Sequence, residues 1–189
     1  MSNSISLVVS KDVLLAALSN AQLVISNRNV MQILNNVKLS VSYNQLTVAA
    51  TDLDIIITEI IQVEAGVEGV LTVNAKALGD IIRKMPDNRI EINGNSDSGR
   101  MQIKSGNCKF SIPCINAEEF PDINCEDAVI ELPITSTNFI YMLNKTKFAS
   151  STNEVHYNLM GINVSTRDDG YLIATAANGH KLARVDSNI

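Results

Sequence analysis

The sequence predicts an α+β fold built by repetition of one motif: a strand, a helix and three strands. Three observations predict it. A short apolar alternation ending in a polar residue occurs at Leu7-Val8-Val9-Ser10, Leu71-Thr72-Val73-Asn74 and Leu132-Pro133-Ile134-Thr135. Each is followed by apolar residues at helical spacing: Leu14, Ala17 and Leu18, then Leu78, Ile81 and Ile82, then Phe139, Met142 and Leu143. The pattern returns after 64 residues and again after 61, so a chain of 189 residues holds three repeats.

Each element has a local reason. Ser10, Asn74 and Thr135 are residue types whose side chains cap a helix by accepting from an orphan backbone N–H. Lys84 and Pro86 close the second helix, with a cation in the last turn and a proline beyond it. In the first repeat Val37, Leu39 and Val41 alternate with polar residues, Tyr43-Asn44 turns the chain, 46–50 returns, and 54–63 is a long β-branched strand. In the second, 89–92 leads into Asn93-Gly-Asn-Ser-Asp-Ser-Gly99, a turn by composition, and strands follow at 101–104 and 109–112. In the third, a strand over 157–164 leads to a turn at 167–170, with strands at 171–175 and 180–185. Turn chemistry also recurs, Ala49-Ala50-Thr51-Asp52 matching Ala176-Ala177-Asn178-Gly179. One such repeat leaves a sheet face bare, whereas two side by side share a core with both helices on one face. Residues 1–127 therefore read as one complete two-repeat domain. Residues 128–189 read as one repeat of a second domain without its mate, and Asn116-Ala-Glu-Glu-Phe-Pro-Asp122 connects the two.

Composition excludes several classes. With 15 Lys and Arg against 20 Asp and Glu, the net charge of −5 rules out a globally basic nucleic-acid binder but not a local basic face. The helical segments 10–20, 74–86 and 135–147 carry Lys11, Lys76, Arg83, Lys84, Lys145 and Lys147 against Asp12 and Asp80, so the helices are basic and the rest acidic. Solvated lysines on exposed helix faces are the plainer explanation of the same pattern. Cys108, Cys114 and Cys125 lack the pairing and His partners of a zinc site and read as reduced thiols of a cytosolic protein. No run reaches the length of a membrane span, and 13–18 is too short for a signal peptide core. No phosphate loop is present. Asp52 with Asp54, or Cys114 with His180, could serve a small β-rich hydrolase, and a repeat module with no DNA role is a third reading. Turn chemistry accounts better for the two aspartates.

Several segments, in order along the whole chain, resemble the bacterial sliding clamp family, the β subunit of the replicative DNA polymerase. They are RNVMQILN (28–35), Thr51-Asp-Leu-Asp54, VNAKALGDIIRKMP (73–86), Phe110-Ser-Ile112, Glu119-Phe-Pro121, Lys147-Phe-Ala, Tyr157-Asn-Leu-Met-Gly161 and Asn178-Gly-His-Lys-Leu-Ala183. The resemblance implies a DNA-clamp fold of three two-repeat domains per protomer. It implies a head-to-tail homodimeric ring around double-stranded DNA, bound without sequence preference, with no cofactor, metal or catalysis of its own. It covers the first domain and half of the second. The implied partners are the DNA polymerase III α subunit, the clamp loader and other proteins carrying a clamp-binding peptide motif. By the same resemblance Arg28, Lys76, Asn153 and Tyr157 face DNA, and the peptide groove uses His156, Leu159, Ala177, Gly179, His180, Lys181 and Leu182. The ring joint uses Lys109, Phe110 and Ile112. The family often has Arg where His156 and Lys181 stand and Thr where Ala177 stands, and a lysine cannot reproduce a bidentate arginine contact.

Overall fold

The structure is a computed structural model that describes residues 3–25, 31–121, 132–168 and 170–188. It divides into two compact units, Met1–Asn124 and Cys125–Ile189.

The first unit holds β1 (Ser4–Ser10), α1 (Lys11–Gln22), β2 (Asn36–Ser42), β3 (Gln45–Thr51), β4 (Ile56–Gln62), β5 (Glu64–Val67), β6 (Gly69–Asn74), α2 (Ala75–Lys84), β7 (Arg89–Asn95), β8 (Arg100–Ser105) and β9 (Cys108–Ile115). The nine strands form one antiparallel sheet in the order β4-β3-β2-β6-β9-β8-β7-β1-β5. The order shows an exchange. The first strand of the second repeat, β6, lies beside β2 of the first, with Leu39 opposite Leu71. The first strand of the first repeat, β1, lies beside β7 of the second, with Leu7 opposite Ile92. Each repeat thus completes the other's sheet.

The expected 54–63 strand begins later, at Ile56, and breaks at Val63. There the chain leaves one edge of the sheet in β4 and joins the other in β5. Asn44 holds this crossing: its carbonyl accepts from the Val63 N–H at 2.9 Å and its Oδ1 accepts from the Ala65 N–H at 3.1 Å. Tyr43 and Asn44 form the expected two-residue turn, both with positive φ, 49° and 59°, as a type I′ hairpin requires. The stretch expected as a turn from Asn93 is strand as far as Asn95. Asn93 and Gly94 pair with β1 on one side and β8 on the other, so two neighbouring strands override local turn preference. Gly94 is needed for closeness, because a Cβ there would overlap Leu71 Cδ2 and press on Ile5 and Met101.

The helices lie antiparallel on the inner face of the sheet. Gln22 Nε2 donates to the Ala75 carbonyl at 2.8 Å, and at the other end Lys11 Nζ donates to the Met85 carbonyl at 2.7 Å. Leu14, Leu18, Leu78, Ile82 and Met85 are fully buried against inward residues of β1, β2, β3, β6, β7 and β8. Asn74 caps α2 as expected, accepting from the Ala77 N–H at 2.9 Å. Ser10 does not cap α1. That office passes to Asn88 of the other repeat, whose carbonyl accepts from Lys11 N–H and whose Oδ1 accepts from Asp12 N–H and the Ser10 hydroxyl.

The second unit contains α3 (Ser136–Thr146), β10 (Asn163–Arg167), β11 (Tyr171–Ala177) and β12 (Leu182–Asn188), the strands forming a sheet ordered β10-β11-β12. Thr135 caps α3 through the Asn138 N–H. Residues 132–135 are not strand, and the expected 157–164 strand is replaced by a 3-10 turn over Glu154–Leu159 before β10. Asn153 accounts for the difference: its Oδ1 accepts from the Val155 N–H at 3.0 Å and starts the turn. The last strand starts at Leu182 rather than at 180, because Asn178 draws His180 and Lys181 into a hairpin loop. The core here is small: Met142, Leu172 and Ala174, with Ile134, Phe139, Ile162 and Val185 half-buried around it.

Candidate functional site

Three surfaces carry the residues singled out from the sequence. The first is the solvent face of the helices. The sequence expects a basic lining there, and the structure thins it. Lys11 is half-buried and spent on the Met85 carbonyl, and Arg83 is paired with Asp80 at 2.9 Å. In the first unit Lys76 and Lys84 remain as helix cations without an ion pair among the described residues. Lys76 sits in the first turn of α2 and is exposed. In the second unit Lys145 stands 5.5 Å from the centre of the Tyr141 ring. Arg28 lies outside the described residues. Asn153 caps its 3-10 turn, and Tyr157 within that turn is 81% exposed, so its ring is free to meet a ligand.

The second surface is the β11–β12 hairpin. Asn178 Oδ1 accepts from His180 N–H at 3.0 Å and from Lys181 N–H at 2.8 Å, and Asn178 N–H donates to the Lys181 carbonyl at 3.2 Å. Gly179 takes φ +86°, a conformation open to glycine at little cost. The loop presents His180, Lys181 and Leu182 outward, and Leu182 is 70% exposed. Beside it a shallow cavity of about 400 Å³ is lined by Leu159, Gly161, Ile162, Asn163, Thr175 and Ala177, among others. Leu159 and Ala177 therefore come together in one recess, whereas His156, Gly179, His180, Lys181 and Leu182 are not part of its lining. Gly161, Ile162 and Thr175 were not among the groove residues named from sequence. Thr175 could have been found by strand alternation, since it lies two residues before Ala177 and shares its face.

The same loop geometry occurs in the first unit. Asp52 Oδ1 accepts from Asp54 N–H at 3.1 Å and Ile55 N–H at 2.7 Å, and Asp52 N–H donates to the Ile55 carbonyl. Asp52 corresponds to Asn178, one residue off the match drawn from sequence, and Leu53 at φ 82° stands where Gly179 does. The two aspartates are thus turn residues, and no cluster of three or more His, Cys, Asp or Glu side chains suited to a metal occurs among the described residues. Cys114 is buried beneath the sheet, its thiol pushed up by that burial, which disfavours the thiolate a nucleophile requires.

The third surface is the outer edge of β9. The strand pairs with β8 from Cys108 to Pro113 but reaches β6 only at Cys114 and Ile115, leaving the opposite edge of 108–113 open among the described residues. Lys109 and Phe110 are exposed there, while Ile112, on the same strand face as Phe110, is buried in the core. A contact across this edge can use Phe110 and the backbone; Ile112 is a core residue.

One cluster was not anticipated. On the sheet face of the second unit away from α3, Arg184 holds Asp186 bidentately at 2.7 and 2.8 Å, and Arg167 reaches the same carboxylate at 3.2 Å while lying 4.8 Å over the Tyr171 ring. The Arg184 guanidinium hydrogen bonds hold the Asp186 carboxyl below the usual carboxylate range. Its signal was the alternation of charges along 182–188 opposite β11.

Comparison with known proteins points to one family for the chain. The chain is 34% identical over 181 residues to the beta sliding clamp of Caulobacter vibrioides, covering 94% of this chain and 49% of that protein. The solved DNA polymerase sliding clamp of Caulobacter crescentus matches with TM-score 0.90 and 32% identity, over 98% of this chain and 51% of that one. The sliding clamp of Bartonella birtlesii, solved bound to griselimycin, matches with TM-score 0.87 and 30% identity, over 98% of this chain and 50% of that one. The chain thus spans about half the length of the relatives it matches. Residues 5–124 match the family described as DNA polymerase III beta subunit, N-terminal domain, and the chain belongs to that family.

Proposed function

We propose that this chain is the first half of a DNA replication processivity factor, a clamp that as a full-length homodimer encircles duplex DNA without reading its sequence. In this reading residues 1–127 are its first domain and 128–189 half of its second. The protein works in the cytoplasm, catalyses nothing, and tethers the DNA polymerase III α subunit, the clamp loader and other peptide-motif proteins. The observation that carries the reading is the likeness to solved sliding clamps along 98% of the chain. Three surface features support it. Lys76 and Lys84 give the helical face uncommitted cations that attract phosphate by charge alone, which leaves a protein free to slide. Leu182 and the Leu159–Ala177 recess offer apolar contacts for an aliphatic or aromatic peptide anchor, and Lys181 a cation for its acidic groups. The open β9 edge with Phe110 suits the ring joint.

The test is salt-dependent duplex binding, followed by fluorescence anisotropy. Lys76→Ala is expected to weaken binding equally for all sequences and to lower the slope of log K against log salt by about one. Binding that is independent of salt, or unchanged in the variant, would overturn the DNA-facing assignment. Leu182→Ala is expected to weaken a clamp-binding peptide about tenfold, and unchanged affinity would remove the hairpin from the groove.

A further inference from the structure

We propose that Asn178 is a site of spontaneous modification, at which the backbone nitrogen of Gly179 attacks the Asn178 side chain, expels ammonia and leaves an acidic residue in the β11–β12 hairpin. The chain contains the pair Asn-Gly twice, at Asn93-Gly94 and Asn178-Gly179. A glycine after the asparagine favours this attack, because no Cβ shields the backbone nitrogen and the chain can bend to bring it onto the side chain. By sequence the two pairs are alike, and the fold separates them.

Asn93-Gly94 lies inside β7. Asn93 faces Ser6 of β1 and Gln102 of β8, and Gly94 faces Ile5 and Met101. Between two antiparallel neighbours, each backbone N–H is engaged by one ladder or the other. The backbone has no room to bend either, since a Cβ on Gly94 would already overlap Leu71. The Asn93 side chain is exposed, and its Oδ1 accepts from the Ser6 hydroxyl at 2.8 Å, so exposure of the side chain does not decide reactivity. A five-membered ring between Asn93 and Gly94 forms only after β7 leaves its neighbours.

Asn178-Gly179 is placed the other way. It lies beyond the last pair of the β11–β12 ladder, Ala177 with Leu182. Gly179 is exposed, and a Cβ built on it would meet nothing within 4 Å. Its N–H has no acceptor among the described residues. The Asn178 Oδ1 accepts from His180 N–H at 3.0 Å and Lys181 N–H at 2.8 Å. Those two donors draw electrons from Cγ, the atom attacked, and face the oxygen on which negative charge builds as the ring closes. Asn116 and Asn153 make similar side-chain turns, accepting from Glu118 and Val155 N–H, but Ala117 and Glu154 follow them and carry a Cβ. Among the described residues, Asn178 alone joins such a turn to a following glycine.

The step balances without a cofactor. The Gly179 nitrogen gives its proton to a solvent base and bonds to Cγ, the Cγ–Nδ2 bond breaks, and ammonia leaves with a proton from water. Water then opens the cyclic imide at either carbonyl. One opening gives aspartate, the other isoaspartate, in which the main chain runs through the former side chain. The first unit shows how an aspartate behaves in this loop, since Asp52 Oδ1 holds the N–H groups of Asp54 and Ile55. An aspartate at position 178 therefore keeps the hairpin and adds a carboxylate whose charge offsets that of Lys181. An isoaspartate consumes the group that holds His180 and Lys181, and frees the loop before Leu182. The modification rests on the hairpin alone and does not require the clamp reading.

The experiment incubates the full 189-residue chain, folded and in concentrated urea, at mildly alkaline pH until the unfolded chain has lost half of its amide at both positions. Digestion at acid pH and peptide mass mapping follow each site, and labelling by an isoaspartyl methyltransferase separates isoaspartate from aspartate. In the folded chain, loss at Asn178 is expected to run at least ~10-fold faster than at Asn93, where attack waits on the opening of β7. Gly179→Ala is expected to slow the loss at Asn178 at least ~10-fold. A smaller difference between the two sites, or an unchanged rate in Gly179→Ala, overturns the proposal. Low urea separates reaction in the folded hairpin from reaction after unfolding. A rate at Asn178 that stays flat below the first unfolding transition supports the proposal, whereas a rate that climbs with urea toward that transition assigns the reaction to the unfolded chain and overturns it.

Discussion

Gly94 lies where β1, β6 and β8 close in on β7, and the space for its missing side chain is filled by Leu71. Gly94→Ala is expected to cost about 1–3 kcal/mol, the range for overpacking a core, read as a lower urea midpoint at unchanged m. Leu53 is the opposite case. It holds φ 82° on the surface with its side chain largely in water, in the loop position that the second unit gives to Gly179. Leu53→Gly relieves a left-handed backbone and loses little packing, so a gain of about 0.5–1 kcal/mol is expected by the same titration. Among the thiols, exposed Cys108 is expected to alkylate well before Cys114, whose thiol is buried and pushed up, and peptide mass mapping after brief iodoacetamide treatment would report the order.

At the scale of elements, the helices were legible because their signals are local: apolar spacing, a cap, a cation and a proline. Asn74 and Thr135 do what residues of their type do before a helix. Ser10 does not, because Asn88, 78 residues away, reaches the α1 terminus first. Asn88→Ala is therefore expected to destabilise the first unit by about 1 kcal/mol, and Ser10→Ala by less, a ranking that chemical denaturation can check. Strand ends were less legible for the same reason. Asn93 and Gly94 carry turn composition, yet two flanking strands keep them extended; His180 carries no turn signal of its own, yet Asn178 bends it. Of the candidate surfaces, sequence placed Leu159 and Ala177 in one recess and Lys76 on an open helix face. It could not show that Lys11 is already engaged, or that Ile112 turns inward, because both depend on contacts between distant segments, whereas the Arg83–Asp80 pair, three residues apart on one helix, is local.

The two units differ greatly in what they bury. The first holds a continuous core from β1 to β9, whereas the second has a cluster of Met142, Leu172 and Ala174 with a half-buried rim, and its other buried described residues are only Thr146, Ala149 and Ala176. Urea is expected to unfold the chain in two steps, the second unit first, with amide exchange in β10–β12 faster than in β6–β8. Acid is expected to sharpen the difference. A carboxyl held low in the folded state contributes stability that is present above its unfolded value and lost as pH falls through the folded one. Protonating Asp186 releases both Arg184 and Arg167, so the first transition is expected to move to lower urea below about pH 4, and less so in Asp186→Asn. The strand exchange of the first unit reaches further, into synthesis. Ser4 finds its neighbour only at Asn95, so a nascent chain that has emerged as far as β5 carries β1 with one edge bare. Half the first unit is not half a fold, and the sheet closes only after the second helix has left the ribosome. Any slowing of translation between residues 68 and 95 prolongs an aggregation-prone state that lacks β7 as its closing strand.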